Sequence, residues 1–215
     1  MVFPGSNCDN DLLKALGRFP DAEVSPVFWH EKTLPDLDMY FLPGGFSYGD
    51  YLRCGAIAAA VPVARELKKK AGEGKIIVGI CNGFQILTEL HLLPGALLRN
   101  INRKFICRPS ALKADEKTLF AAHGKNKYRF PIAHCEGRYH VSEKELTELE
   151  NNREVIFRYA ENPNGSLNDI AGIRKGNVFG LMPHPERAVL PSQGSTDGVP
   201  FFEELIGLAK SGKSL

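Results

Sequence analysis

The chain has 215 residues and a formal net charge of +2, with 43% apolar and 24% charged residues. A chain of this length can bury about 70% of its unfolded surface in one domain, and its near-neutral charge disfavours nucleic-acid binding. No apolar run approaches the ~20 residues of a membrane span, and the five cysteines form no CxxC pair. We therefore expect a single domain over residues 1–215, with no membrane contact and with reduced thiols in the cytoplasm.

The first hundred residues alternate short apolar runs with segments of helical periodicity. The patterns predict strands over residues 23–29, 39–42 and 75–80, and helices over residues 9–18 and 55–70. Pro62 falls inside the second helix, where proline removes a backbone donor, so we expect a break between Ala60 and Pro62. Strands that alternate with helices favour a mostly parallel sheet with helices on both faces.

The second half of the chain carries closely spaced apolar runs. They predict strands over residues 104–113, 128–133, 155–160, 168–175 and 177–182, and a last helix over residues 199–209. Such close spacing favours an antiparallel or mixed extension of the sheet. The predicted class is therefore α/β, with a mixed sheet.

The stretch Gly79-Ile80-Cys81-Asn82-Gly83 links a predicted strand to a helix predicted over residues 84–92. A nucleophile between two glycines at such a turn is the layout of a nucleophile elbow, here with cysteine in place of serine. The glycines allow strand and helix to pack closely, and the helix N-terminus favours a thiolate. We interpret Cys81 as a nucleophile and the remaining cysteines as small structural side chains, namely Cys8, Cys54, Cys107 and Cys135.

A proton acceptor for this thiol is predicted in Pro183-His184-Pro185-Glu186. The two prolines restrict their neighbours to extended conformations, so we expect a stiff strand end. In extended backbone His184 and Glu186 point to the same side, which lets the carboxylate orient the ring while its other nitrogen faces Cys81. His134, which follows a predicted strand, is left without an assignment.

The residues Pro43-Gly44-Gly45 directly follow the strand predicted over residues 39–42. Acyl transfer needs donors for the developing oxyanion, and adjacent glycines let backbone N–H groups approach a substrate closely. Alone, this segment fits a plain glycine turn equally well, but beside the elbow in one sheet it becomes a candidate oxyanion loop. The residues by themselves thus predict cysteine-dependent acyl transfer.

These three blocks, in this order, resemble the triad-type (class I) glutamine amidotransferases. Longer stretches resemble in particular the family of glutaminase subunits of phosphoribosylformylglycinamidine synthases: PGSNCD at 4–9, GGFSYGDYLR at 44–53, NGFQIL at 82–87, ENPNGS at 161–166 and GLMPHPERA at 180–188. The resemblance implies a flavodoxin-like amidotransferase fold. It also supplies the substrate, which spacing alone does not.

The resemblance implies that Cys81 attacks the side-chain amide of L-glutamine, that His184 carries the proton and that Glu186 orients His184. Gly45 and Asn82 match positions whose backbone N–H groups form the oxyanion hole of the family. The other residues that it places at the substrate are Gly44 and Gln85. No metal is expected at the site.

The same resemblance implies that ammonia passes to a large synthase subunit of purine biosynthesis, often joined by a small third subunit. The chain has no P-loop and no G-x-G-x-x-G, so we expect no cofactor in it, and ATP and magnesium on the synthase. We expect the isolated chain to be weakly active until the synthase docks and aligns the oxyanion loop. Candidate contacts with the synthase are Tyr48, Asp50, Tyr51, Arg53, Arg138 and Tyr139.

Two other functions stay open on the sequence. A cysteine peptidase or deglycase-like enzyme of the same broad fold would act on other substrates and need no synthase. A non-catalytic subunit would keep the fold without the chemistry. The close His-x-Glu pairing after a Pro-Gly-Gly loop favours a glutaminase over the first, and the intact set of Cys81, His184 and Glu186 argues against the second.

Overall fold

The computed structural model describes residues 1–212, with the side chains of residues 122 and 123 left outside the description. The helices are α1 (Asp9–Leu16), α2 (Ala56–Ala60), α3 (Pro62–Gly72), α4 (Asn82–Glu89), α5 (Glu143–Asn151) and α6 (Gly198–Ser211). The strands are β1 (Met39–Leu42), β2 (Ile76–Ile80), β3 (Ala96–Leu98), β4 (Ile106–Ala114), β5 (Lys127–His134), β6 (Arg138–His140), β7 (Val155–Tyr159), β8 (Ile170–Lys175) and β9 (Val178–Leu181).

Seven of these strands form one sheet in the order β1-β2-β9-β8-β7-β4-β5, and β3 pairs separately with β6. The pairs β1–β2 and β2–β9 are parallel, whereas the four pairs from β9 to β5 are antiparallel. The predicted mixed sheet with an antiparallel extension is therefore confirmed. The extension is the larger part, because β8 turns directly into β9 through a short hairpin instead of a helical crossover.

The parallel part of the sheet brings three chain segments to one edge. Leu42 at the end of β1 lies opposite Gly79 in β2, and Ile80 at the end of β2 lies opposite Leu181 in β9. Carboxyl ends of neighbouring parallel strands open into the same crevice, where α/β folds bind ligands. The loops that follow β1, β2 and β9 therefore meet there.

The prediction of a strand over residues 23–29 is wrong. The segment makes only one parallel bridge, between Phe28 and Val2, with hydrogen bonds from Val2 N–H to Val27 O and from Trp29 N–H to Val2 O. A ladder needs a longer partner, and the partner segment ends at Pro4, which has no N–H to donate.

The break predicted around Pro62 is confirmed. Helix α2 ends at Ala60, Val61 is extended with φ −71° and ψ 150°, and Pro62 is the first residue of α3. Proline suits that position because its missing N–H would have no helical acceptor there.

Helix α5 escaped prediction, although its start carries a capping box. Ser142 Oγ accepts from the N–H of Glu145, and the Glu145 carboxylate accepts from the N–H of Ser142.

The hydrophobic core extends across both parts of the sheet. Four of its aromatic rings pack together with centroids 4.8 to 6.2 Å apart, those of Phe120, Phe130, Phe157 and Phe201. The prediction that Tyr139 contacts the synthase is wrong, because Tyr139 is 1% exposed and its ring stacks on Phe84 with centroids 5.7 Å apart. Within residues 1–212, no helix is long and apolar enough to cross a membrane.

Candidate functional site

Cys81 stands alone between β2, which ends at Ile80, and α4, which begins at Asn82. Its backbone has φ 51° and ψ −105°, a conformation that costs about 1 to 3 kcal/mol and that surrounding contacts must hold. Cys81 N–H donates to Leu181 O at 2.8 Å, and Cys81 O accepts from Gln85 N–H at 3.2 Å. The predicted elbow is therefore present, anchored to β9 on one side and to α4 on the other.

The two glycines of the elbow are explained by close packing. A Cβ atom on Gly79 would lie 2.6 Å from the carbonyl carbon and oxygen of Gly83. A Cβ atom on Gly83 would lie 2.1 Å from Leu42 O, which is far inside van der Waals contact. The strand and helix could not approach this closely with any other residue at either position.

His184 and Glu186 form a buried pair. The Nδ1 atom of His184 lies 2.7 Å from Oε1 of Glu186, and each residue is 1% exposed. The predicted pairing is present, but the extended backbone expected beyond His184 is wrong. Residues Pro185–Arg187 form a 3-10 turn, which folds the Glu186 carboxylate back onto the ring. The backbone N–H of His184 donates to Pro131 O of β5, which fixes the turn against the sheet.

Two buried histidines at the site are shifted in opposite directions. Burial disfavours the charged ring of His184, but Glu186 and then Cys81 and Cys8 outweigh it and raise its pKa well above the ordinary value. Burial lowers the pKa of His134 to about 4, and the nearby positive charge of His184 adds to this effect. At neutral pH the site therefore holds one protonated and one neutral imidazole.

Sequence reasoning treated Cys8 as a small structural side chain, and the structure places it at the site. Its thiol accepts from Nη2 of Arg187 at 3.2 Å and contributes to the raised pKa of His184. A Cβ atom on Gly44 would lie 2.7 Å from Cε1 of His184, 3.0 Å from Sγ of Cys8 and 3.4 Å from Cβ of Cys81. One glycine thus separates two thiols and one imidazole. The stretch PGSNCD was the only signal that could have identified Cys8.

The side chains of Cys8, His184 and Glu186 also have the chemistry of metal ligands. Their ligand atoms lie within 4.8 Å of one another, and thiolate, imidazole and carboxylate all bind Zn²⁺. A metal at this point would occupy the imidazole that the predicted chemistry needs as a proton carrier. The expectation of a metal-free site stays a prediction.

The predicted oxyanion loop lies against the elbow. Gly45 has φ 148°, and a Cβ atom there would lie 2.7 Å from both Gly5 O and Ser6 Cα, so only glycine fits. Among the described residues, the N–H groups of Gly45 and Asn82 donate to no acceptor. Two free donors beside Cys81 are the arrangement that a developing oxyanion requires.

The side chain of Gln85 is held inside the protein at both ends of its amide. Its Oε1 accepts from Nδ2 of Asn82 at 2.9 Å, and its Nε2 donates to Glu136 O at 2.7 Å. Asn82 Oδ1 in turn accepts from Ser47 N–H at 3.2 Å. Gln85 therefore connects the oxyanion loop with the loop after β5, and its contact with substrate stays a prediction.

The opposite shifts of the two imidazoles give a testable titration. We expect the ring of His184 to stay protonated well above pH 6.5, and that of His134 to gain a proton only near pH 4. Protonation of His184 thus stabilises the fold fully below pH 6.5, and this stabilisation is lost as pH rises through its folded pKa. Ring-proton signals in NMR, assigned with His134→Gln and His184→Gln, measure both midpoints.

Glu186→Gln provides the comparison for this titration. It keeps the burial of His184 but removes the carboxylate charge, so the His184 midpoint should fall while that of His134 should not fall. Glu143→Gln, at an exposed position in α5, is the matched control and should move neither. A shared midpoint for both rings near pH 6.5 would contradict the geometry.

Comparison with known proteins agrees with the cysteine-dependent chemistry that the geometry of the site indicates. A model of the CobB/CobQ-like glutamine amidotransferase domain matches residues 1–199. Phosphoribosylformylglycinamidine synthase subunit PurQ of Bartonella henselae is 48% identical over 214 residues, which are 96% of each chain. The subunit of the same name from Trichormus variabilis is 50% identical over 213 residues, 96% of this chain and 95% of that one.

The fold is shared with a solved structure. The structure of PurLQS from Thermotoga maritima matches with a TM-score of 0.85 and 47% identity, over 96% of this chain and 95% of that chain. This match confirms the predicted flavodoxin-like amidotransferase fold. The chain therefore belongs to the glutamine amidotransferase family, in the group that contains the PurQ subunits of phosphoribosylformylglycinamidine synthase.

Proposed function

We propose that the chain is a glutaminase subunit that hydrolyses L-glutamine and passes the ammonia to an ATP-dependent phosphoribosylformylglycinamidine synthase subunit in purine biosynthesis. The observation that carries this proposal is the joint position of Cys81 and His184 at the ends of two neighbouring parallel strands, with Glu186 2.7 Å from the ring. The relatives named as PurQ supply the choice of synthase.

The reaction follows from the geometry. The sulfur of Cys81 attacks the amide carbon of glutamine, and the oxygen that becomes negative accepts hydrogen bonds from the N–H groups of Gly45 and Asn82. His184 gives its proton to the leaving amine, which departs as ammonia and leaves a glutamyl thioester. His184 then takes a proton from water, which cleaves the thioester to glutamate. Glu186 holds the ring in position and favours its charged form.

Handing ammonia to a partner has a chemical advantage. Ammonia in water at neutral pH is mostly protonated and then no longer nucleophilic, so a closed passage to the acceptor keeps it reactive. The synthase subunit would receive it and would carry ATP and magnesium, and this chain would need no cofactor. We place the chain in the cytoplasm as one domain, which five unpaired cysteines support.

The alternatives fit the site less well. Cys81 is 5% exposed and His184 is 1% exposed, and a pair buried to this extent suits a small substrate better than the polypeptide substrate of a peptidase. A non-catalytic subunit gives no reason to keep a strained backbone at Cys81 or a buried charged pair beside it. A small amide substrate agrees with both observations.

The proposal is tested with the purified chain and its purified synthase subunits. We expect slow glutamate release from the chain alone and at least about 10-fold faster release when the synthase and its nucleotide substrate are present. A glutamine-mimicking electrophile should add one equivalent, located at Cys81 by peptide mass. Equal rates with and without the synthase would contradict the gating, and the absence of any adduct would contradict the glutaminase.

A further inference from the structure

Cys8, His184 and Glu186 together have the donor atoms of a zinc site, and we call these three residues the Cys8 cluster. One sulfur, one ring nitrogen and one carboxylate oxygen lie within 4.8 Å of one another. The proposed reaction uses His184 and Glu186 but gives no task to the thiol of Cys8. This thiol is therefore the part of the cluster that the glutaminase chemistry does not explain.

The distances within the Cys8 cluster fit a single metal ion. Zinc bonds of about 2.0 to 2.3 Å in tetrahedral geometry place the ligand atoms roughly 3.3 to 3.6 Å apart. The three atoms of the cluster already lie within 4.8 Å of one another, and Nδ1 of His184 lies 2.7 Å from Oε1 of Glu186. Small rotations of these side chains would therefore bring all three onto one ion.

Two polar atoms of the Cys8 cluster are buried and have no hydrogen-bond partner. They are Oε2 of Glu186 and Nε2 of His184, and neither is bonded to any residue in the described part of the chain. A buried polar atom without a partner costs about 1 to 3 kcal/mol, so such atoms are usually satisfied by a bound group. The cluster thus has bonding capacity beyond the contact between His184 and Glu186.

The charges of the cluster also favour a divalent cation. A thiolate at Cys8 and the carboxylate of Glu186 carry two negative charges, which balance the charge of Zn²⁺, and a neutral ring at His184 adds none. Buried charges are tolerated when they compensate one another in this way. The guanidinium of Arg187, which donates to Sγ of Cys8, is itself paired with Asp11 at 2.9 Å and so adds no net charge.

A cation can reach the cluster from the side of Cys8. The thiol of Cys8 is buried, but it donates to Oδ1 of Asn7, an exposed residue, at 3.3 Å. It also accepts from Nη2 of Arg187, whose side chain is 34% exposed, at 3.2 Å. The thiol therefore lies directly beneath two surface side chains, and a rotation of either one opens a path for an ion.

We propose that the Cys8 cluster binds a zinc-type divalent cation and that the bound ion inhibits the glutaminase, an inference whose second half rests on the proposed function. The ring of His184 gives up a proton to solvent when it binds the metal, and it can then no longer protonate the leaving amine. Cys81 is not a member of the cluster, so the ion acts through the proton carrier and not through the nucleophile. Glutamine hydrolysis requires the cluster to be free of metal.

The test is titration of the metal-free full chain with zinc chloride, measured by calorimetry, and with cobalt chloride, which reports a sulfur ligand by its charge-transfer absorption. We expect one ion per chain, bound with sulfur. Cys8→Ser should weaken zinc binding at least about 100-fold, because it removes the thiolate ligand. Cys81→Ala and the matched control Cys107→Ala, at an exposed thiol, should stay within about 3-fold of the wild-type affinity, because neither removes a ligand.

Activity and stability separate inhibition from misfolding. Saturating zinc should lower glutamate release by the wild-type chain at least about 10-fold, and a chelator should restore it. Synthesis from added ammonium chloride by the synthase should not change. Glutamate release by Cys8→Ser, whatever its own rate, should not depend on zinc. Zinc should also raise the melting temperature of the wild-type and Cys81→Ala chains but not that of Cys8→Ser.

Glu186→Gln is the second variant, which keeps the size of the side chain and should weaken zinc binding at least about 10-fold. A wild-type chain that binds no zinc, wild-type zinc affinity in Cys8→Ser or Glu186→Gln, or loss of binding in Cys81→Ala would overturn the inference. So would a zinc-bound chain that releases glutamate at the metal-free rate. If the metal-free chain releases no glutamate with the synthase present, the proposed function itself fails, and zinc binding is judged from the titrations alone.

Discussion

Replacing Cys81 with alanine is expected to lower glutamate release by at least about 10⁴-fold, because no other group can form the thioester. Cys8 cannot substitute for Cys81, since its thiol lies on the other side of Gly44 and accepts a hydrogen bond from Arg187. Alanine has the same Cβ atom as cysteine, so the bend at position 81 should persist. Steady-state glutamate release with the synthase present measures the effect.

The matched control for this experiment is Cys107→Ala. Cys107 is an exposed thiol in β4, and its loss should leave glutamate release within a factor of two. The glutamine-mimicking electrophile should still label the Cys107→Ala chain and should not label the Cys81→Ala chain. Undiminished ammonia release after Cys81→Ala would show that Cys81 is not the nucleophile and that the reaction does not pass through a thioester at this residue.

Replacing Gly83 with alanine is expected to lower the free energy of unfolding by at least about 3 kcal/mol. The added methyl group would lie 2.1 Å from Leu42 O, and neither α4 nor β1 can move without displacing buried neighbours. For a chain of this size, that loss lowers the melting temperature by roughly 6 to 12 °C. Because Gly83 is two residues from Cys81, glutamate release should fall as well.

Gly207→Ala is the control for this substitution. Gly207 lies inside α6, and a Cβ atom there would meet nothing within 4 Å. Alanine at this position should stabilise the chain by about 0.5 to 1 kcal/mol, because glycine loses more backbone freedom in a helix. Thermal unfolding of the two variants should thus move in opposite directions. A Gly83→Ala chain as stable as wild type would mean that strand and helix are not in contact.

Local patterns predicted most of the elements because their causes are local. Pro62 determined a helix boundary by itself, and short apolar runs located the strands of the seven-stranded sheet. The strand predicted over residues 23–29 does not form, although its apolar pattern is adequate. Its partner segment is too short, because Pro4, elsewhere in the chain, ends that segment. Helix α5 carries few apolar residues, so its capping box was the only clear signal.

The candidate site likewise has residues that short motifs predict and residues that only the folded chain brings together. The elbow at Cys81 and the pair of His184 and Glu186 follow from motifs of a few residues. Cys8 was missed, because a lone cysteine carries no chemical pattern apart from the family-like stretch PGSNCD around it, and it reaches the site only when α1 packs beside the 3-10 turn. The hydrogen bond from Gln85 to Glu136 spans 51 residues of sequence, so only the folded chain reveals it.

Neighbouring strands in a sheet lie about 4.8 Å apart, and this spacing sets the distance between the nucleophile and its proton carrier. Cys81 comes one residue after the paired position Ile80, and His184 comes three residues after its partner Leu181. Insertions in surface loops far from these strand ends can therefore lengthen the chain without altering that distance. A single-residue deletion between Leu181 and His184 would shift the ring out of line, although it would leave every strand intact.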